Sequence, residues 1–447
     1  MVVALLTLLF MSELEMTIVS TAMPTITGDI GGIESYSWVF TAYLLTSTVT
    51  LMIYGNLADR FGRKPVVFVG VGLFLAGSVA CGQATSIGFL IGARALQGLG
   101  AGALRSTATT IVGDIYTPEE RLKMMGVFSS AVAMAALAGP LVGALIIEVT
   151  SWRWIFYVNV PVGLVAVGML ARGLHEDFEK KARRFDFAGA LLFSSSVACF
   201  LVGMYQRASA LVIGASLLGA LFLLVEWRTP HPLIPLELFK KRVIAVATIG
   251  NALVGAAMLA TMTFIPLFVQ GVLGRSVLSA GLAFAPMILA MPFASAVAGR
   301  VLVPRFGYRM IIRLGATISF AGAVALALVV DRSMGDALTP CTIAIGIGNG
   351  FCLTSLMVVV QQSVAWNQRA VATASVLFFR TIGSGIAVGV LGRMLVGESG
   401  ASGTIHEGLA LDFAIVSGMF GAALVATLWL PPLPYTARGS TPATAPR

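Results

Sequence analysis

Residues 36–83, YSWVFTAYLLTSTVTLMIYGNLADRFGRKPVVFVGVGLFLAGSVACGQ, set two apolar runs on either side of one short charged reversal. Each run is close to the roughly 20 residues that an α-helix needs to cross a bilayer. Between them lie Asp59, Arg60, Arg63 and Lys64, with Gly62 free to make a tight turn and Pro65 placed to open the next helix. The stretch reads as two spanning helices and a short loop.

The same alternation continues in both directions. Apolar runs of spanning length fall at 2–22, 36–56, 65–83, 86–112, 122–147, 154–172, 187–206, 208–228, 243–270, 277–303, 308–330, 336–362, 368–396 and 408–430, fourteen in all. Of 447 residues, 57% are hydrophobic and 11% charged, and mean hydropathy is +0.93. A globular domain carries about 25% charged residues, so a water-soluble enzyme of this composition would lack polar cover. The composition predicts an all-α polytopic membrane protein lying in a lipid bilayer.

A net charge of +9 would suggest a nucleic-acid partner in a soluble chain, but here the placement of the charges decides. With the N-terminus in the cytoplasm, inner connections hold 21 Lys and Arg, among them Arg60, Arg63, Lys64, Arg121, Lys180, Lys181, Arg183, Arg184, Lys240 and Lys241. Outer connections hold four, Arg153, Arg207, Arg275 and Arg332, and Arg94, Arg105, Arg380 and Arg393 lie within spans. The positive-inside rule then places both termini in the cytoplasm, and no nucleic acid is expected as a partner.

Cys81, Cys199, Cys341 and Cys352 stand singly in apolar runs, which favours packing over a disulfide or metal site. MVVALLTLLF opens without a basic region or a cleavage site, so no removable signal is expected, and the missing basic tail points to a late start codon or a shortened chain. His175, His231 and His406 fall in loops and are assigned no chemistry. Residues 174–186 are charged with two spaced phenylalanines, open to a membrane-surface linker or a plain solvated loop, and the tail 431–447 should be disordered.

An internal repeat organises the spans. Arg60-Phe61-Gly62 recurs as Arg305-Phe306-Gly307, and Gly139-Pro140-Leu-Val-Gly143 recurs as Gly385-Ile-Ala-Val-Gly389, each pair eight spans apart. Two six-helix units with two helices inserted between them explain that offset. The boundaries are 1–172 for the first bundle, 173–242 for linkers and the inserted pair, 243–430 for the second bundle, and 431–447 for the tail.

These residues resemble the major facilitator superfamily, and within it the fourteen-helix drug:proton antiporters. Leu14-Glu15-Met16-Thr17-Ile18-Val19 is similar to the first-helix signature, with Glu in the acidic position. Gly55-Asn-Leu-Ala-Asp59-Arg60-Phe-Gly62-Arg63-Lys64 resembles the superfamily loop motif, Arg94-Ala-Leu-Gln97-Gly98 the fourth-helix motif, and Gly139-Pro140-Leu-Val-Gly143 the fifth-helix antiporter motif. Ser151-Trp152-Arg153-Trp154, Asn159-Val-Pro161, Leu267-Phe-Val-Gln270 and Phe379-Arg380-Thr-Ile-Gly383 also fit. Three departures stand out: Glu13 and Arg105 occupy positions usually neutral in the family, and Pro304 replaces the acid of the second loop motif. They leave stoichiometry and substrate charge open.

A carboxylate at mid-span costs about 2.5–3.5 kcal/mol on insertion scales, so Glu13 and Glu15 need a reason to be there. Glu15 is the expected proton-titrating group, and Glu13 either shares that role or bonds a neighbouring helix. Two residues apart, they point about 200° away from each other. Arg94 and Arg105, eleven residues apart, share a helix face that is expected to look into an aqueous cavity, with Arg94 near the depth of Glu15. An Arg94–Glu15 pair that breaks on a conformational change would couple proton to motion, the alternative being Arg94 bonded to backbone carbonyls. The resemblance casts Asp59, Arg60, Arg63 and Lys64 as a latch between halves, and Gly139, Pro140 and Gly143 as a seal, although small residues also pack any membrane bundle. Arg380, Asn349, Gln270, Gln361 and Gln362 are open to substrate or to interhelical bonding.

No phosphate-binding GxxxxGK[ST] loop is present, nor any nucleophile constellation. The resemblance implies a monomeric multidrug efflux antiporter of the cell membrane that exchanges protons for lipophilic or cationic compounds and so confers antibiotic resistance, without a cofactor or metal. A proton-coupled importer or facilitator of a specific metabolite or lipid is the alternative, and a membrane-embedded enzyme or receptor a more distant one.

Overall fold

The computed structural model of the chain describes residues 2–115, 131, 134, 135, 138–173, 186–206, 208–229, 236–364, 369–401 and 405–431. Arg121, Lys180, Lys181, Arg183, Arg184, Arg207, His175, His231 and the tail beyond 431 lie outside the described residues, with the expectations placed on them. In order, the helices are α1 (Val2–Ile30), α2 (Tyr36–Phe61), α3 (Arg63–Gly82), α4 (Ile87–Ile115), α5 (Ala138–Val149), α6 (Trp154–Tyr157), α7 (Asn159–Gly173), α8 (Phe187–Tyr205) and α9 (Ser209–Arg228). After them come α10 (Arg242–Leu267), α11 (Val277–Val297), α12 (Val303–Asp331), α13 (Leu338–Gln362), α14 (Arg369–Ala401) and α15 (Ile405–Leu428). The described residues contain no strand, as expected where each backbone group must bond within its own segment.

Among the described residues, ten segments are long and apolar enough to cross a membrane, with two shorter apolar helices beside them. One of the ten, Val277–Asp331, holds two of the fourteen runs, joined through a five-residue π-helical stretch and bent at Gly307. Several helices outrun the hydropathy that marks them. The first reaches Ile30 rather than residue 22, and Asp29 in its last turn bonds Trp152 and Arg153.

The repeat seen in the sequence is visible in the backbone. Gly62 between α2 and α3 has φ 97° and ψ 157°, and Gly307 has φ 75° and ψ 161°, a region essentially restricted to glycine. A base also caps a helix end in each half of the chain: Lys64 Nζ donates to Ala171 O of α7 at 3.0 Å, and Arg313 Nη2 to Leu428 O of α15 at 2.9 Å. The contacts between units also mirror one another. A Cβ on Gly281 of α11 would fall 2.7 Å from Pro140 of α5, and one on Gly389 of α14 would fall 3.2 Å from Trp38 of α2.

Helices α2, α3 and α4 pack together, with α1 and α7 against them, and α10 to α15 form the second group. Close approach within the first group follows from glycines of α4: side chains at Gly98 and Gly102 would strike α2, and one at Gly100 would strike α3. Helices α8 and α9 pack on each other, α8 packs on α2, and Phe193 of α8, against Phe222 of α9, meets Phe378 of α14. In its most apolar 18-residue stretch α9 is only 17% buried, against 72% for Arg242–Val272, so α9 turns an apolar face outward where α10 is central.

Candidate functional site

Glu15 lies on the inner face of α1 and is 1% exposed. Its Oε1 accepts from Arg94 Nη1 of α4 at 2.8 Å, and its Oε2 from Asn159 Nδ2 of α7 at 2.7 Å. Arg94 Nη1 also donates to Gln97 Oε1 at 2.6 Å, and Gln97 Nε2 to Ser78 Oγ of α3 at 2.8 Å. Gly77 makes this possible, since a Cβ there would sit 2.5 Å from the Gln97 backbone nitrogen and hold Ser78 away. The Arg94 guanidinium stands 4.2 Å over the Tyr43 ring of α2, its Nε donates to Val39 O at 3.4 Å, and its Nη2 has no partner among the described residues. One carboxylate and one guanidinium are thus shared among four neighbouring helices in a space closed to solvent.

A second pair has a different character. Glu13 meets Arg105 at 2.7 Å, with side chains 19% and 28% exposed. Arg380, on α14 of the second group, is within electrostatic reach of both and only partly buried. The face shared by Arg94 and Arg105 therefore does not look into one aqueous cavity, as the spacing predicts. Tyr43, Gln97 and Glu15 close over Arg94, which is 0% exposed, while the Arg105 side chain keeps 28% exposure. Helical spacing fixes a shared direction, but not how far along that direction the neighbours seal.

The motif positions divide. Gly62 makes the reversal, Arg63 Nη1 donates to Ala58 O at 3.3 Å, and Lys64 caps α7. Gly55, Asp59 and Arg60 belong to α2, but their side chains lie outside the described residues, and so does the latch assigned to them. Side chains at Gly139 and Gly143 would strike Thr17 and Ile18 of α1, on the turn that follows Glu15, while Pro140 faces Gly281 of α11. The motif thus sits between the Glu15 helix and the second group.

Most of the other in-span polar groups bond other parts of the protein. Gln270 donates to Thr21 O at 3.1 Å, Gln361 to Thr373 Oγ1 at 3.1 Å and Gln362 to Tyr308 Oη at 3.1 Å, while Ser319 donates to Asn349 Oδ1 at 3.1 Å. Arg393 reaches Met204 O of α8 at 3.4 Å, and His406 lies 2.8 Å from Val330 O near the end of α12. The four cysteines are free. Sequence reasoning missed Ser78, Tyr43 and the roles of Gln97 and Asn159, although the last two stand within quoted motifs. It also missed Asp29, whose Oδ2 accepts from Trp152 Nε1 at 2.9 Å and Arg153 Nη1 at 3.1 Å, pinning the end of α1.

Among the described residues, hydrogen bonds between the two groups gather at one end of the bundle, the end of the α1–α2 turn. Ser20 Oγ donates to Met262 O at 2.6 Å, Tyr36 Oη to Thr263 O at 2.9 Å and Thr41 Oγ1 to Gly385 O at 3.2 Å. Such a bundle, closed at one end with charged groups between its halves, has the architecture of a multi-pass membrane transporter. The profile of the Major Facilitator Superfamily matches residues 5–388. Multidrug transporter protein MdtP of Bacillus subtilis (strain 168) is 34% identical over 411 residues, covering 90% of this chain and 76% of its own length. Multidrug resistance protein 3 of the same organism is 32% identical over 403 residues, covering 88% and 78%. Among solved structures, a mutant of the nucleoside transporter NupG superposes with a TM-score of 0.68 at 14% identity, over 96% of this chain and 99% of its own. The chain belongs to the Major Facilitator Superfamily and is a transporter rather than an enzyme.

Proposed function

We propose that this transporter exports lipophilic small molecules by alternating access, exchanging each for protons carried by Glu15. The multidrug transporters among its relatives support the substrate class. One observation carries the coupling: α2 touches both the buried ion pair and the closed end of the bundle. Val39 and Tyr43 contact the Arg94 guanidinium, while Tyr36 and Thr41 bond the second group. Opening that end moves α2, which withdraws two contacts from Arg94 and frees Glu15 to exchange its proton.

On this reading the closed end faces outward and the Glu13–Arg105 side faces the cytoplasm, in line with the excess of inner Lys and Arg. Both termini lie in the cytoplasm of a cell-membrane protein with fourteen spans, acting as a monomer and drawing on the proton gradient alone. The division at 172 and 243 follows the repeat, and Asp59 and Arg60 serve as the latch at the open end. Purified protein in proteoliposomes, given an imposed pH gradient and a panel of lipophilic dyes and antibiotics, tests this directly. Gradient-dependent accumulation that collapses on adding a protonophore is the expected result, and accumulation indifferent to the gradient overturns the proton coupling.

A further inference from the structure

In the solvent-accessible cleft between the helix groups, the described residues place two guanidiniums and one carboxylate near one another. Arg105 and Arg380 approach it from opposite sides, and Glu13 is the carboxylate that acts electrostatically on both. Arg105 has that carboxylate at 2.7 Å. The Arg380 guanidinium has no ion pair or hydrogen bond among the described residues, and the charges near it among them are Arg105 and Glu13. Its position is nevertheless fixed from behind. The stem lies against Gly255 of α10, where a side chain would overlap Arg380 Cγ, so the glycine is the seat in which the arginine is held.

A partly buried guanidinium with no ion pair of its own is costly, and a second guanidinium nearby adds repulsion. The missing element is negative. We propose that Arg380, together with Arg105 across the cleft, receives the anionic head group of an amphipathic substrate, a carboxylate or phosphate on a lipophilic body. The arginine fork suits such a group through two parallel N–H donors. A cationic substrate would add to the repulsion, so the preference runs opposite to the cationic class implied by the family resemblance. The anion would bridge the two groups, since Arg105 belongs to α4 and Arg380 to α14. This proposal rests on the exporter reading for its lipophilic body, and not for its charge.

Equilibrium binding to the full chain in detergent, without any gradient, tests the charge alone. The probes are dansyl-undecanoic acid, its methyl ester and a trimethylammonium analogue of the same length. The carboxylate should bind at least about tenfold tighter than the other two, the scale of one charge-assisted hydrogen bond. Arg380→Gln should erase that difference, Arg380→Lys should keep part of it, and Gly255→Ala should weaken the carboxylate selectively by displacing the arginine without removing its charge. Equal binding of the three probes, a preference for the ammonium, no binding at all, or a carboxylate preference that survives Arg380→Gln would each overturn the proposal. A carboxylate preference in protein that shows no gradient-driven transport would instead leave this site standing and remove the exporter reading.

Discussion

Glu15 accepts from Arg94 and Asn159, one donor to each carboxylate oxygen, and both donors belong to other helices. Removing its ability to change charge, while keeping an oxygen for Arg94, separates coupling from folding. Glu15→Gln does this, because the amide imitates a permanently protonated carboxyl. In proteoliposomes the variant should lose uphill, gradient-driven transport and retain downhill exchange. Wild-type accumulation against a gradient would move the proton site to Glu13 and then to Asp412, a fully buried carboxylate of α15. Glu13→Gln should do less, since its side chain is open to the cleft on the other side of the helix. At this scale the sequence was informative about charges and poor about their partners. A carboxylate at mid-span announces itself by its cost, and an arginine three spans away by the same rule. Ser78, Gln97 and Tyr43 carry no such cost, so only the folded approach of α3, α4 and α2 shows that they complete the site.

Among the helices, the clearest signature is the pair of reversals at Gly62 and Gly307. Nothing lies within 4 Å of a Cβ built at Gly307, so Gly307→Ala meets no steric obstacle. Its cost is therefore backbone strain alone, about 1–3 kcal/mol. A lower melting temperature in detergent is the expected outcome, and an unchanged one would show that the turn relaxes freely. The short Arg-Phe-Gly match was enough to find this repeat, because a glycine at a turn of this kind is a conformational requirement and not a packing preference. Helix lengths were less legible. Hydropathy reports where lipid begins, and α1 continues beyond that point to bond Trp152 and Arg153 through Asp29.

Across the whole molecule, the closed end can be trapped. A Cβ on Gly389 would lie 3.3 Å from Thr41 Oγ1 and 3.4 Å from its Cγ2, near the spacing that a disulfide spans. A chain carrying Thr41→Cys and Gly389→Cys should transport when reduced, stop when oxidised and recover on reduction. Transport by the fully cross-linked protein would mean that this end need not open. The proposed fourteen-span topology places Arg207 outside, so Arg207→Cys should react with an impermeant maleimide added to intact cells. Reaction only after permeabilisation would remove the inserted pair from the count. The pseudo-twofold arrangement, with α5 against α11 and α14 against α2, could not be read from the chain, because the repeat gives the correspondence of helices but not which of them meet.

The closed end has a further consequence for how readily the protein switches. Ser20, Tyr36 and Thr41 of the first group and Gln270 of the second each donate across the boundary to a main-chain carbonyl, and no ion pair crosses it among the described residues. At about 0.5–1.5 kcal/mol apiece, such bonds total only a few kcal/mol, most of it returned by water when they part. A barrier of that size is within the differential affinity of one bound small molecule, so occupancy by cargo is enough to tip the equilibrium. Uncharged bonds are also little screened by electrolyte. The rate of opening should therefore vary little with ionic strength, which would let the carrier run at the same pace in dilute and in saline surroundings.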